Sequence, residues 1–130
     1  MSSSSLPVAQ RPLEYVAFFH VRMNTREGPA YVFLALDAYR DYVYNLGVYP
    51  ELNDDVILKC IYELTEHEEF GHYAEPGFTI VMEDQHHLAP RINTIIGPMG
   101  GKLLFDKPFN NQLASPVLLH LMKSMQNRSE

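Results

Sequence analysis

The sequence predicts an α/β domain in which a mixed five-stranded sheet carries helices on its faces. Three runs rich in β-branched and aromatic residues open the chain and are typical of strands. After Pro50 the apolar residues recur at helical spacing, and from there helical segments alternate with short apolar runs. The resulting order of elements is β-β-β-α-β-α-β-α.

The three opening strands are predicted to pair in antiparallel order, because only short turn segments separate them. They cover residues 15–21, 31–36 and 42–48. Asp37 ends the second strand, and residues 38–41 are short enough for a hairpin connection. Alternation in the third strand predicts one apolar face made of Tyr42, Tyr44, Leu46 and Val48. The opposite face of this strand has few bulky apolar side chains, which is typical of the edge of a sheet.

A first helix is predicted to follow, with Asn53 as its cap and Gly71 at its end. Its buried stripe comprises Val56, Ile57, Cys60, Ile61 and Leu64. The next segments are a strand at residues 78–82, a helix at residues 88–96 and a strand at residues 102–105. The last helix is predicted to begin at Ser115, which suits a cap when Pro116 follows it. Its buried stripe comprises Leu118, Leu121, Met122 and Met125.

Length and composition limit what the chain can be. Its 130 residues suffice for one core, so residues 11–130 are predicted as a single domain behind a disordered Ser-rich leader, residues 1–10. A net charge of −6 argues against a dedicated nucleic-acid-binding surface. No apolar run reaches the ~20 residues of a membrane span, and no secretory signal pattern opens the chain. Cys60, the single cysteine, is expected to be a buried thiol in a cytoplasmic protein.

The end of the fourth strand carries most of the chemistry in the sequence. Its apolar residues, 78–82, stop abruptly in two carboxylates and two imidazoles. Such side chains are ligands for Zn²⁺ or Mn²⁺. The candidate metal ligands are Glu83, Asp84, His86 and His87, with Asp106 and Asp37 at the ends of other strands. The alternative interpretation is that these acids form turns, cap helices or are simply solvated.

Three segments of the chain together carry a family resemblance. They are EGPAYVFLALDAYR at residues 27–40, IVMEDQ at residues 80–85 and PFNNQLAS at residues 108–115. In this order they resemble the second strand, the fourth strand and the segment before the last helix of retroviral-type integrase and transposase catalytic cores. The resemblance extends over residues 11–125. It implies a ribonuclease-H-like fold for the predicted five-stranded sheet.

The resemblance also implies a site of two aspartates and a glutamate that bind two divalent cations. One ion activates the attacking oxygen and the other stabilises the leaving oxygen of a phosphodiester. Carried onto this chain, the second acid matches Asp84, whereas the first falls on Phe18 and the third on Ser115. Neither phenylalanine nor serine replaces a carboxylate as a ligand for Mg²⁺. The resemblance therefore implies a degenerate member without strand-transfer activity.

The sequence leaves three functions open. The first is an integrase-like domain that acts by binding, as a homodimer or with a protein partner, and needs no cofactor. The second is a nuclease or strand transferase dependent on Mg²⁺ or Mn²⁺, with ligands rearranged around Asp84. The third is an unrelated small α/β domain. Nucleic-acid binding is compatible with the resemblance but opposed by the negative charge, and no membrane association is expected.

Overall fold

A mixed five-stranded sheet forms the centre of the molecule. The computed structural model describes residues 8–128, with side chains described through residue 121 and at residue 123. The strands are β1 (Tyr15–Thr25), β2 (Gly28–Asp37), β3 (Tyr42–Tyr49), β4 (Phe78–Met82) and β5 (Gly101–Phe105). Their order across the sheet is β3-β2-β1-β4-β5. β1, β2 and β3 form an antiparallel meander, as predicted, and β4 pairs in parallel with β1 and β5.

The helices of the described chain follow the predicted order, with one addition. They are α1 (Asp54–Thr65), α2 (Glu68–Tyr73), α3 (Ala89–Ile96) and α4 (Lys107–Arg128), with 3-10 turns at His86–Leu88 and Gly97–Met99. α1 begins as predicted, because the Asn53 side chain accepts a hydrogen bond from the Val56 N–H at 2.9 Å. The predicted end at Gly71 is wrong, since α1 stops at Thr65 and His67 caps the separate α2. None of the described helices is both long and apolar enough to cross a bilayer.

The two faces of the sheet are covered by different helices. Side chains alternate along β1, so Val16 and Phe18 lie on one face while Ala17 and Phe19 lie on the other. The first face packs against α1, α2 and α3 in the larger buried cluster. The second face packs against α4 through Ala114, with Leu118 and Leu121 partly buried beside it as predicted. Both layers therefore meet the sheet around the middle of β1.

β1 is much longer than β4, the strand that pairs with it in parallel. The parallel pairing runs from Tyr15 opposite Thr79 to Ala17 opposite Val81. β4 ends at Met82, whereas β1 continues to Thr25 along β2. Beyond the end of β4, one edge of β1 consequently has no neighbouring strand. This step in the sheet creates the opening described below.

The last helix begins earlier than the sequence predicts. α4 starts at Lys107, so the predicted start at Ser115 is wrong, and Ser115 is an exposed residue inside the helix. Asp106 is the cap instead, because its Oδ1 accepts a hydrogen bond from the Phe109 N–H at 3.0 Å. Pro108 in the first turn is compatible with this start.

A β-bulge changes the predicted faces of β3. Leu46 is the extra residue, because the register to β2 shifts between Phe33 and Leu34. The next residue, Gly47, has φ of 118°, a conformation that glycine adopts without strain. Alternation reverses beyond the bulge, so Leu46 is buried whereas Val48 is 59% exposed. The predicted face shared by these two residues is therefore wrong.

Part of the sequence prediction falls outside the described residues. Residues 1–7 of the predicted leader lie there, and residues 8–10 belong to no helix or strand. The side chains of Met122 and Met125, predicted for the buried stripe of α4, also lie outside the description.

Candidate functional site at the end of strand β4

A cleft opens where β1 continues past the end of β4, beneath the first turns of α4. Its volume is about 220 Å³. The cleft is lined by Phe18, Phe19, His20, Phe33, Ile57, Glu83, Gln85, Asn110, Asn111, Ala114 and Leu118. These residues come from β1, β2, α1, the segment after β4 and α4. The cleft therefore lies at the junction of the sheet with both helical layers.

Asn110 fixes the inner wall of the cleft. Its side-chain Nδ2 donates to the Phe18 carbonyl at 3.0 Å and to the Val81 carbonyl at 2.8 Å. The residue is 1% exposed, so both bonds are shielded from water. α4 is thereby tied to β1 and β4 at the point where these strands part. Asn110 belongs to the segment PFNNQLAS, but no local sequence pattern indicates this role.

Phe18 occupies the wall beside the end of β4. It is one residue beyond Ala17, the last residue of β1 paired with β4, and is 4% exposed. Its ring lies 6.0 Å from the ring of Phe33, centroid to centroid. The position for which the resemblance expects the first metal-binding acid thus belongs to the hydrophobic core.

Glu83 faces the cleft, whereas its neighbour Asp84 does not. Glu83 is half-buried and lines the cleft, while Asp84 is exposed and is not part of the lining. The two strands that lead to Phe18 and Asp84 are neighbours, as the resemblance implies. The side chain that shares the cleft lining with Phe18 is nevertheless that of Glu83.

His20 is a second titratable group in the cleft. Its ring centroid lies 5.5 Å from that of Phe33 and 6.1 Å from that of Tyr31. Burial lowers the pKa of His20, although the charge of Glu83 acts in the opposite direction. The imidazole is therefore neutral near pH 7. No sequence pattern distinguishes His20, which lies within an ordinary strand segment.

On α4 the residue that faces the cleft is Ala114, not Ser115. Ala114 is 1% exposed and lines the cleft, while Ser115 points to solvent. Helical geometry turns each residue about 100° from the last, and here that rotation directs Ser115 away from the sheet that Ala114 contacts. Ser115 is thus neither a helix cap nor a cleft residue.

The other candidate ligands are held by separate structural contacts. His86 packs on Phe105 with ring centroids 4.3 Å apart, and His87 Nε2 lies 3.0 Å from Asp54 Oδ1. The Asp106 carboxylate caps α4. Within the described residues, no group of three or more His, Cys, Asp or Glu side chains is arranged to hold a metal ion.

The cleft does not fit the pair of divalent cations that the resemblance implies. Such ions need several oxygen ligands each, and carboxylates supply most of them. Among the described lining residues, Glu83 is the one carboxylate. The Asn110 amide is directed at backbone carbonyls through its Nδ2. Phe18 and Ala114 add no ligand atom.

Asp37 belongs to a different polar cluster, at the C-terminal end of β2. It is fully buried, its Oδ1 accepts from the Tyr39 N–H, and its Oδ2 lies 2.6 Å from Arg40 Nε. The Arg40 guanidinium also donates to Tyr44 Oη at 2.8 Å and to Glu69 Oε1 at 3.1 Å. This arrangement agrees with the interpretation of Asp37 as a turn-forming residue.

Cys60 lies in the core, as predicted for a buried thiol. It is 0% exposed, and its Sγ lies 3.8 Å from the Leu46 carbonyl. Burial raises the pKa of the Cys60 thiol to about 11. Its thiolate is therefore scarce near neutral pH, and the residue is not a nucleophile.

Comparison with known proteins identifies the fold but not the family. No known family profile matches the chain. An argininosuccinate lyase from Maridesulfovibrio salexigens is 30% identical over 81 residues, which are 62% of this chain and 17% of the lyase. The chain therefore spans only a small part of that enzyme, whose activity does not transfer on this match.

The structural comparison covers the whole chain. A chain in the cryo-electron-microscopy structure of the simian T-cell lymphotropic virus intasome in complex with PP2A regulatory subunit B56 gamma aligns with a TM-score of 0.72. The match covers 100% of this chain and 47% of that chain, at 9% sequence identity. At this identity the likeness shows the fold alone. The fold is ribonuclease-H-like with a mixed five-stranded sheet, which confirms the fold predicted from the sequence.

Proposed function

We propose that this chain is an integrase-like domain that has lost strand transfer and acts by binding a second copy of itself or another protein. One observation carries the proposal. Phe18 is a buried, apolar residue of β1 beside the end of β4, at the position where a metal-binding acid is expected. A phenyl ring offers no ligand atom to Mg²⁺ and excludes water from the position. With Glu83 as the one carboxylate among the described lining residues, two-metal chemistry has too few ligands.

Charge favours a protein over a nucleic acid as the partner. The net charge of −6 repels phosphates, and the electrostatic term dominates non-specific affinity for nucleic acids. β3 offers a surface for a protein, because it is the edge strand of the meander. Tyr42 is 46% exposed on it and Val48 is 59% exposed. The free edge of such a strand can pair with a strand of a second copy.

The loss of catalysis is tested by a cleavage assay on double-stranded DNA with Mn²⁺ or Mg²⁺, in which wild type is compared with Glu83→Gln. We expect both proteins to leave the DNA equally intact, and Mn²⁺ to leave both melting temperatures unchanged. Metal-dependent cleavage that Glu83→Gln abolishes would contradict the proposal and favour the nuclease alternative.

Self-association is tested by sedimentation velocity over a wide concentration range. We expect a monomer–dimer equilibrium that the double variant Tyr42→Lys, Val48→Lys shifts to monomer, because two charges on the edge strand oppose pairing. Tyr62→Lys is the matched control, since Tyr62 is 54% exposed and belongs to α1 rather than to the edge strand. A dimer that the double variant leaves intact would rule out β3 as the interface.

A further inference from the structure

We propose that the cleft at the end of β4 binds a small organic monocation, an ammonium or guanidinium group attached to an apolar body. The inference rests on the proposed function, because a cleft loaded with divalent cations would not accept such a ligand. It goes further by giving the cleft a ligand class of its own. Three properties of the cleft support it: aromatic walls, one negative charge and a small volume.

One side of the wall is apolar and belongs to the core, whereas His20, Glu83, Gln85, Asn110 and Asn111 make the rest of the lining polar. Phe18 is 4% exposed, Phe33 is fully buried and Ile57 is 6% exposed. His20 adds a further ring beside Phe33. Aromatic faces attract organic cations through the negative potential of the ring, and such sites recur where proteins bind ammonium groups. The walls therefore suit a ligand that is both apolar and positively charged.

Glu83 supplies the negative charge of the cleft. It is half-buried and lines the cavity, and no ion pair among the described residues involves it. A carboxylate that loses water without gaining a partner is destabilised. An ammonium or guanidinium ligand would supply that partner through a charge-assisted hydrogen bond.

Gln85 and Asn111 also line the cleft, but their amides are uncharged and no described side-chain hydrogen bond joins them to Glu83. The described lining contains no lysine or arginine. The lowered pKa of His20 keeps its ring neutral near pH 7. The Asn110 amide nitrogen donates to the Phe18 and Val81 carbonyls and not to Glu83. The cleft thus attracts cations and repels anions such as phosphates.

The volume limits the ligand to a single small group. At about 220 Å³ the cleft lies below the usual range of about 300–1,000 Å³ for drug-sized ligands. One ring with an aminomethyl substituent is of suitable size, so benzylamine is an appropriate probe. Benzyl alcohol is its neutral counterpart of nearly equal shape.

The test is a titration of the full chain with benzylamine and, separately, with benzyl alcohol, followed by amide chemical shifts at pH 7. We expect benzylamine to shift residues lining the cleft, among them Phe18, His20 and Glu83, and to bind at least about tenfold more tightly than benzyl alcohol. Glu83→Gln should weaken benzylamine binding by a similar factor. Asn111→Lys should do so too, because it places a competing cation at the exposed rim of the cleft.

Glu75→Gln is the matched control, since Glu75 is exposed in the loop before β4 and does not line the cleft. It should leave benzylamine binding unchanged. The inference is overturned if benzylamine shifts no cleft residue, if benzyl alcohol binds as well, or if Glu83→Gln has no effect. If benzylamine binding fails and no DNA is cleaved, only this inference is contradicted and the proposed function is unaffected. Metal-dependent DNA cleavage would contradict both the inference and the proposed function.

Discussion

Asn110 joins three elements that would otherwise separate at the cleft. It belongs to α4, yet its amide satisfies carbonyls of β1 and β4. The two carbonyls belong to Phe18 and Val81, at the last point where the strands run side by side. A buried carbonyl that loses its donor is destabilised by more than the net worth of a hydrogen bond. This side chain is therefore expected to contribute to stability out of proportion to its size.

Replacement of Asn110 by alanine should lower the free energy of unfolding by about 1–3 kcal/mol, because it leaves buried acceptors without a partner. The measurement is urea unfolding followed by circular dichroism. Gln112→Ala, at an exposed position two residues along α4, should change the same quantity by no more than about 0.5 kcal/mol. Equal effects of the two substitutions would mean that water replaces the Asn110 amide.

At this scale the sequence predicts the region of the site and includes Glu83 among its candidates, but it does not single out the side chains that line the cleft. The segment after β4 was identified correctly as the place where polar groups meet the end of the sheet. Motif matching selected Asp84 and Ser115, whereas Glu83 and Ala114 line the cleft. In each case the error is one residue. A one-residue shift reverses the direction of a side chain near a strand and turns it by about 100° on a helix, and local sequence does not fix that register.

At the scale of elements, a polar clamp attaches the short helix α2 to the β2–β3 hairpin. Arg40 lies between Asp37 and Glu69, and Tyr44 Oη donates to Glu69 Oε1 at 2.7 Å. The guanidinium also lies over the ring of Tyr73, 4.9 Å from its centroid. α2 is only six residues long, too short to be stable alone. These contacts, together with the burial of its Phe70 side chain, hold it in place.

This clamp should make stability depend on pH. The hydrogen bond from Tyr44, and after it the one from Arg40, lowers the pKa of Glu69 below its ordinary value of 4.5. Because the pKa of Glu69 is lowered in the folded state, the stabilisation that its carboxylate provides is fully present above pH 4.5. That stabilisation is lost as the pH falls through the lower folded-state pKa. We therefore expect Glu69→Gln to be less stable than wild type at pH 6, with a difference that narrows toward pH 3.

Urea unfolding at several pH values measures that difference. Glu68→Gln is the matched control, because Glu68 is the exposed neighbour in the same helical turn. Its difference from wild type should stay nearly constant with pH. A gap between wild type and Glu69→Gln that fails to narrow in acid would show that the clamp acts without the Glu69 charge.

The elements themselves were predictable where a local rule governs them. Asn53 caps α1 as expected, since a side-chain oxygen at that position satisfies a free N–H of the first turn. The start of α4 does not follow from the sequence, because Asp106 and Ser115 are both adequate caps near a proline. Asp106 is the cap in the structure, and the tertiary hydrogen bonds of Asn110 in the first turn favour this earlier start. The bulge at Leu46 was missed for a similar reason. Alternation looks intact in the sequence, and only the pairing with β2 reveals the extra residue.

At the scale of the whole molecule, the fold class was predictable because it depends on the order and period of elements rather than on exact boundaries. The antiparallel meander follows from short connections. The placement of β4 beside β1 does not, because it pairs residues far apart in the chain. That placement followed from the resemblance, and the likeness to an intasome chain at a TM-score of 0.72 agrees with it.

The long separation of β1 and β4 in the sequence also affects how the chain folds. The meander pairs strands that are adjacent in the sequence. The pairing of β1 with β4, in contrast, joins residue 15 to residue 79. Closing the longer loop costs more chain entropy and slows pairing. Pulsed hydrogen exchange during refolding should therefore protect β1–β3 before β4 and β5, and simultaneous protection would contradict this order. Until β4 arrives, the edge of β1 is open along its whole length, so aggregation during refolding is expected to begin there.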